Sequence, residues 1–392
     1  MKGVKNMSEN EILQFGMVGG GPGSFIGPVH LKAATLDGKA ELVGGAFSRT
    51  YEKTLQRGEE LGLPESRLYK DYKEMAQREG AKPKKERIDF VSITTPNTYH
   101  YKIAKAFLQQ SINVVCDKPL TTSVSKSEEL KKLAETENLL FCVTYTYSGY
   151  PLVKHAKELI NSGELGEIRV VQGEYPQEWL STPLEKEGNK QATWRTDPDL
   201  AGASNCVGDI GTHIENTVSY MTGLKIDSLS ADLNMFGEDR ELDDNAQIMV
   251  RYEDGARGSY WCSQVAIGYD NALKIRVFGS KGSVEWTQEE PNHLKVSYLD
   301  KPTQVLSRGR DSIADLGADL VRLPAGHPEG YYEAFANVYA NFEDALLEKK
   351  SSSTTFDSAE HDYPTVEDGL QGVKFIHKCL SSNEKGAKWV DF

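Results

Sequence analysis

A carboxylate, a lysine and a proline directly follow a short β-branched run in Val114-Val115-Cys116-Asp117-Lys118-Pro119-Leu120. Such a run reads as a buried strand. Proline cannot continue a central strand, so Pro119 turns the chain. Lys118 then stands at the carboxyl edge of a sheet, where open α/β folds bind their ligands. A lysine held there can touch a cofactor and a substrate at once; the alternative is a solvated lysine after a strand. A second group of chemical side chains opens a helix predicted to run to about Met221: Gly208-Asp209-Ile210-Gly211-Thr212-His213. Asp209 and His213 are four residues apart and share one helical face. Histidine can carry a proton near neutral pH, and aspartate can orient a ring or a substrate hydroxyl. An aspartate N-cap and a satisfied histidine would account for the same residues. No third and fourth ligand stands at a suggestive spacing, so no metal is expected.

The elements that must position these residues alternate. Strands are predicted at Phe15–Val18, Leu42–Phe47, Phe90–Ile93, Asn113–Cys116 and Leu140–Val143, with helices between them, including Tyr51–Leu61 and Tyr101–Gln110. Ser125 and Glu128, at capping-box spacing, precede the helical segment Leu130–Glu137. This rhythm predicts a Rossmann-type, doubly wound parallel sheet. After about residue 145 the pattern changes. A helix at Pro151–Ser162 leads to a strand at Gly166–Gln172 and then a loop-rich stretch. Strand signals dominate from 225 to 300, among them Ala246–Tyr252, Gly258–Gln264, Leu273–Phe278 and Gly282–Trp286. Few helices separate them, which predicts a large, mainly antiparallel sheet with an open face. Helices return at Tyr331–Lys349 and Val366–Ser381, and Ser351–Thr355 reads as a surface loop. The fold class is therefore α/β followed by α+β.

The first strand runs into Gly19-Gly20-Gly21-Pro22-Gly23-Ser24-Phe25-Ile26-Gly27, with a helix from near Pro28. Glycines at this place let backbone amides and a helix N-terminus approach a pyrophosphate. Gly19 and Gly21 supply the first two glycines of the dinucleotide fingerprint and Gly27 the last, with two extra residues between. Gly23, Ser24, Phe25 and Ile26 belong to the same candidate phosphate turn. About 20 residues on, where a ribose-reading carboxylate is expected, stand Ser48 and Arg49. Arg49 can bind a 2′-phosphate or stack on adenine, which tilts toward NADP without excluding NAD. The edge after the third strand offers Thr95, Pro96, Asn97 and His100 as further nucleotide contacts.

The chain has 392 residues, which suggests two domains. A net charge of −13 argues against nucleic acid or an anionic membrane as partner. No apolar run reaches membrane-spanning length. The polar start Met1–Asn10 lacks a secretory stretch. Five scattered cysteines form no CxxC pair. A reducing cytoplasm is the expectation, without disulfides or a cysteine zinc site.

The glycine-rich first turn, Asp117-Lys118-Pro119 and the Gly208–His213 helix start together resemble the Gfo/Idh/MocA oxidoreductases over nearly the whole chain. Asp117 stands where that family usually carries glutamate, and the glycine turn has its two-residue insertion. The resemblance implies an NAD(P)-dependent sugar or polyol dehydrogenase. Residues 10–145 would form the Rossmann domain, and 146–392 an α+β domain for substrate binding and oligomerisation. It implies that Lys118, Asp209 and His213 meet at the nicotinamide, with Asp117 beside the cofactor. Lys118 would hydrogen-bond the reacting hydroxyl, His213 accept its proton and Asp209 position substrate. The segments Glu174–Trp179 and Thr193–Pro198 resemble motifs of sugar dehydrogenases. There Trp194 would pack on a sugar while Gln177 and Arg195 donate to hydroxyls; core packing is the alternative for Trp179 and Trp194. Tyr147, and His327 in the loop Ala325–Gly330, are further substrate candidates, His327 reading equally as a surface histidine at a helix start. A homodimer or homotetramer covering the open sheet face is also implied. Rival readings are a ketosugar reductase, an NAD-assisted glycoside-cleaving enzyme and a non-catalytic nucleotide-sensing regulator. The joint presence of Lys118, Asp209 and His213 argues against the last.

Overall fold

A computed structural model describes residues 12–310, 313, 320–351 and 361–392. The Met1–Asn10 stretch and most of the Ser351–Thr355 run lie outside the described residues. The first layer comprises β1 (Leu13–Gly19), α1 (Ile26–Thr35), β2 (Ala40–Ala46), α2 (Tyr51–Glu60), α3 (Tyr72–Gly80), β3 (Phe90–Thr94), α4 (Asn97–Leu108), β4 (Asn113–Cys116), α5 (Val124–Thr136) and β5 (Phe141–Val143). Its five strands are all parallel, in the order β2-β1-β3-β4-β5. Val114, Val115 and Cys116 have no exposed surface, as a strand covered on both faces requires.

Two helix starts differ from the sequence expectation. Pro96 is the residue before α4, so the helix begins at Asn97 and takes Asn97 and His100 into its first turns. Likewise α5 begins at Val124, after a turn in which the Ser123 amide donates to Thr121 Oγ1 (3.1 Å). Ser125 is therefore inside the helix, and the Ser125/Glu128 capping box does not form.

The rest of the chain supplies α6 (Pro151–Asn161), β6 (Ile168–Pro176), α7 (Lys190–Arg195), α8 (Pro198–Ala201), a π-turn (Val207–Gly211), α9 (Thr212–Thr222), β7 (Ile226–Asn234), β8 (Asn245–Tyr252), β9 (Arg257–Ser263), β10 (Lys274–Gly279), β11 (Gly282–Thr287), β12 (His293–Tyr298), β13 (Gln304–Ser307), α10 (Tyr331–Ser351), α11 (Val366–Glu384) and β14 (Val390–Asp391). Nine strands form one sheet in the order β13-β12-β11-β10-β6-β9-β8-β7-β14. Every neighbouring pair is antiparallel except β6 and β9, which run parallel. Strict alternation sets the faces. In β8, Ala246, Ile248, Val250 and Tyr252 point into the core, while Gln247, Met249 and Arg251 are exposed. The inner face packs on α6, α9 and α11.

A cut at 145/146 does not divide the core. Phe335, Tyr339 and Phe342 of α10 share a cluster with Leu13, Phe15 and Phe90 of β1 and β3. The Val143 amide donates to Pro364 O (2.9 Å), just ahead of α11, and α11 packs beside α5. The helical pattern of 331–349 showed an element but carried no sign of which sheet it covers.

Candidate active site

The turn after β1 is closed by backbone that only glycine adopts freely, with φ of 94° at Gly19 and 75° at Gly20. A Cβ on Gly21 would stand 2.7 Å from Phe47 O, and one on Gly27 2.3 Å from Gly20 Cα. Strand, turn and helix therefore approach to a distance no side chain allows. Ser24 Oγ accepts from the Gly27 amide (3.2 Å) and shapes the turn. Phe25 is exposed, and α1 starts at Ile26 with no acid in its first turn; Ser24 takes the Gly27 amide, and the flanking amides at Phe25 and Ile26 face no acidic side chain of that turn. After β2, the Arg49 guanidinium donates to the Tyr99 hydroxyl (3.4 Å), and Ser48 Oγ accepts from Thr50 N (3.2 Å). The Thr95 hydroxyl, just past β3, is buried without a partner among the described residues, as a group awaiting a ligand would be. This cradle fits a dinucleotide.

Three expected nucleotide contacts are engaged inside the protein instead. The His100 ring has no exposed surface; its nitrogens lie 2.8 Å from Thr95 O and 2.8 Å from Pro119 O. It is a strut between the end of β3 and the Lys118-Pro119 turn, whose peptide bond is cis. Asn97 Nδ2 donates to Ala201 O (2.9 Å), holding α8 against α4. The Asp117 carboxylate accepts from its neighbour's amide, Lys118 N (2.9 Å), and from Thr144 Oγ1 (3.1 Å). Sequence showed polar residues at a sheet edge, and such residues look alike whether they face a ligand or a carbonyl.

Lys118 projects from the edge of β4 across the cleft. Its Nζ donates to Asp209 Oδ1 and to Asp209 O, each at 2.7 Å. On the other carboxylate oxygen, Arg195 Nε donates at 2.9 Å and Gln264 Nε2 at 3.2 Å. Asp209 is not an N-cap. That task falls to Ser204, whose hydroxyl accepts from Gly208 N (3.0 Å), and to Asp243, which accepts from Asn205 N (3.0 Å) and Val207 N (2.8 Å). The π-turn thus frees Asp209 to face the cleft. Burial alone would raise the Asp209 proton affinity. Arg195 and then Lys118 outweigh it and hold the carboxyl well below the usual range.

His213 lies in an aromatic box, edge-on to Tyr147 (4.8 Å between ring centres) and Tyr145 (5.7 Å). Its Nδ1 is buried without a partner among the described residues. Burial, reinforced by Lys118, pushes its proton affinity well down, and Asp209 opposes only in part.

The substrate candidates divide. The Tyr147 hydroxyl bonds that of Tyr175, which donates to Asn271 Oδ1 (2.8 Å); Gln177 Nε2 donates to the same oxygen (2.6 Å). Arg195 lies over the Trp194 ring (4.3 Å) and near Trp179 (5.7 Å), so both tryptophans frame the guanidinium. His327 is exposed, and among the described residues its hydrogen bonds are made by its backbone, to Arg308 and Pro324. Gln264, with Asn205 donating to its carbonyl oxygen (2.6 Å), was missed. Its signal was available: a polar amide continuing the buried phase of Tyr260 and Cys262. Among the described residues no group of three His, Cys, Asp or Glu is placed to hold a metal, and no helix is long and apolar enough to cross a membrane. All five cysteines are free and buried.

A dinucleotide cradle facing a lysine, an ionised carboxylate and a neutral imidazole defines a nicotinamide-dependent oxidoreductase. Residues 13–145 match the oxidoreductase family with an NAD-binding Rossmann fold, and 153–285 match the GFO/IDH/MocA C-terminal domain. The uncharacterized oxidoreductase YfiI of Bacillus subtilis is 35% identical over 97% of both chains. Levoglucosan dehydrogenase of Pseudarthrobacter phenanthrenivorans is 26% identical over 78% of this chain and 80% of that one. Among solved structures, an inositol dehydrogenase homolog complexed with NAD+ from Azotobacter vinelandii superposes with a TM-score of 0.93. It is 37% identical, over 97% of this chain and 98% of that one. The chain belongs to the Gfo/Idh/MocA oxidoreductases.

Proposed function

We propose that the protein oxidises a secondary hydroxyl of a sugar, anhydrosugar or polyol with NAD+ or NADP+. The observation that carries this is the convergence of Lys118 Nζ on Asp209 beside His213, at the carboxyl edge of the nucleotide layer. Gly19, Gly21 and Gly23, the Ser24 hydroxyl, the amides at Phe25 and Ile26, and Thr95 with Pro96 would hold the dinucleotide. When bound, its nicotinamide supplies the hydride acceptor. The ammonium of Lys118 faces the oxygen that becomes alkoxide-like as the hydride leaves. His213, neutral and unpartnered on one nitrogen, takes the hydroxyl proton. Asp209, kept ionised by Arg195 and Lys118, holds the ammonium in place and orients the substrate. Tyr147, Gln177, Trp194 and Arg195 line the approach.

A panel of monosaccharides, anhydrosugars, glycosides and inositols, each with NAD+ and NADP+, tests this. Reduced cofactor should accumulate in step with oxidised sugar. Turnover without net accumulation would overturn simple dehydrogenation.

The outer face of the nine-stranded sheet exposes Val170, Met249, Phe278 and Val305. A second copy covering that face would make the enzyme a homodimer or homotetramer; a monomer by light scattering would refute this.

A further inference from the structure

Between Gly19 and Gly27 the phosphate turn carries no basic side chain, in a protein of net charge −13. A pyrophosphate there gains from any local cation. One reaches the turn from the other side of the cleft. Lys190, the first residue of α7, is exposed, and its Nζ lies 4.0 Å from where a Cβ on Gly23 would stand. It makes no hydrogen bond or ion pair among the described residues. Gly23 has φ 74°, the last left-handed residue before α1. The opposite end of α7 is Arg195, on the Asp209 carboxylate. Between them Gln191 Oε1 accepts from Arg195 (2.8 Å) and from Trp194 Nε1 (3.3 Å), and Asn189 caps the helix (2.9 and 3.2 Å). One six-residue helix, about 9 Å long, therefore runs from the phosphate turn to the catalytic carboxylate.

We propose that α7 is a strap between the two ligand sites: Lys190 binds the dinucleotide pyrophosphate from the substrate side, and that contact steadies Arg195 on Asp209. The proposal rests on dinucleotide binding at the glycine turn. It places a determinant of cofactor affinity outside residues 13–145, on an element that also frames the substrate. Nucleotide binding then prepares the sugar site, and sugar binding tightens the nucleotide by the same factor.

The test is the Kd of NADH and of NADPH, read by fluorescence at two salt concentrations, for wild type, K190A, K190R and K190E. K190A should weaken both nucleotides about fivefold to tenfold, K190E more, and K190R little. The salt dependence of binding should be shallower in K190A, because one cation has left the site. ADP-ribose, which keeps the pyrophosphate, should lose as much as NADH. K190A should also raise the sugar KM while its thermal midpoint stays at the wild-type value, since the Lys190 ammonium bonds nothing among the described residues. Affinities within twofold of wild type in K190A would overturn the strap alone. A wild-type protein that bound neither dinucleotide would overturn the nucleotide site as well.

Discussion

Asp209 and His213 stand about one helical turn apart, yet their surroundings differ in kind. The carboxylate is saturated: Lys118, Arg195 and Gln264 all donate to it. The imidazole is enclosed by aromatic rings, with one nitrogen buried and unpartnered. Cations hold the first group ionised, and burial holds the second neutral. Both proton affinities move down, and the outcome at neutral pH is a fixed charge beside a neutral imidazole. Saturation suits a group that keeps its charge through turnover, and poor solvation suits one that must take a proton and give it up again.

The difference can be broken from either side. Lys118→Ala removes both a donor to Asp209 and the cation facing the reacting oxygen. Turnover should fall by about 10³–10⁴; a loss under tenfold in steady-state kinetics would mean the carboxylate web is structural. His213→Asn keeps a polar side chain of smaller size and removes the base. A kcat loss of about 10²–10³ with NADH affinity unchanged is expected, and a defect mainly in nucleotide binding would instead make His213 a packing residue. Arg49→Ala lies away from both groups and serves as the contrast. NADPH should bind about tenfold more weakly and NADH within twofold of wild type, whereas equal losses would remove Arg49 from the 2′-position.

The smallest effect is on pH dependence. Because the folded-state affinity of His213 is depressed, kcat/KM should hold as pH falls past about 6.5, the ordinary histidine value, and decline only below it. Stability follows the same sign. His30 is buried and pushed down to about 4. As pH drops through 6.5, the unfolded chain takes up protons that His30 and His213 refuse. The stability present above that pH is then lost, at up to about 1.4 kcal/mol per pH unit for each ring. Denaturant midpoints between pH 7 and pH 5 measure this; a flat profile would show that neither ring resists protonation in the fold.

The reach of sequence reasoning differs between these places. The strand Asn113–Cys116 and the exposed edge after it were legible, because an apolar run closed by proline has few other conformations. The Asp209/His213 pair was legible from helical spacing. Their separate environments were not, since Arg195, Gln264 and the Tyr145/Tyr147 pair arrive from three distant segments. His100, Asn97 and Asp117 misled for a related reason: a polar residue at a sheet edge states that it needs a partner but not which one. The parallel β6–β9 pair was equally hidden, because alternation sets a strand's face and not its neighbour.

The seating of α10 on the nucleotide layer has a consequence for biosynthesis. His30 of α1 and Tyr339 of α10 are hydrogen-bonded at 2.8 Å, yet they lie 309 residues apart. At roughly 5–20 residues per second, a ribosome needs on the order of 15–60 s to deliver the second after the first. During that interval the nascent Rossmann half shows the bare apolar surface that Phe335, Tyr339 and Phe342 will cover. A fragment ending at residue 145 would keep that surface uncovered, and should aggregate or bind a hydrophobic dye more than the full chain does.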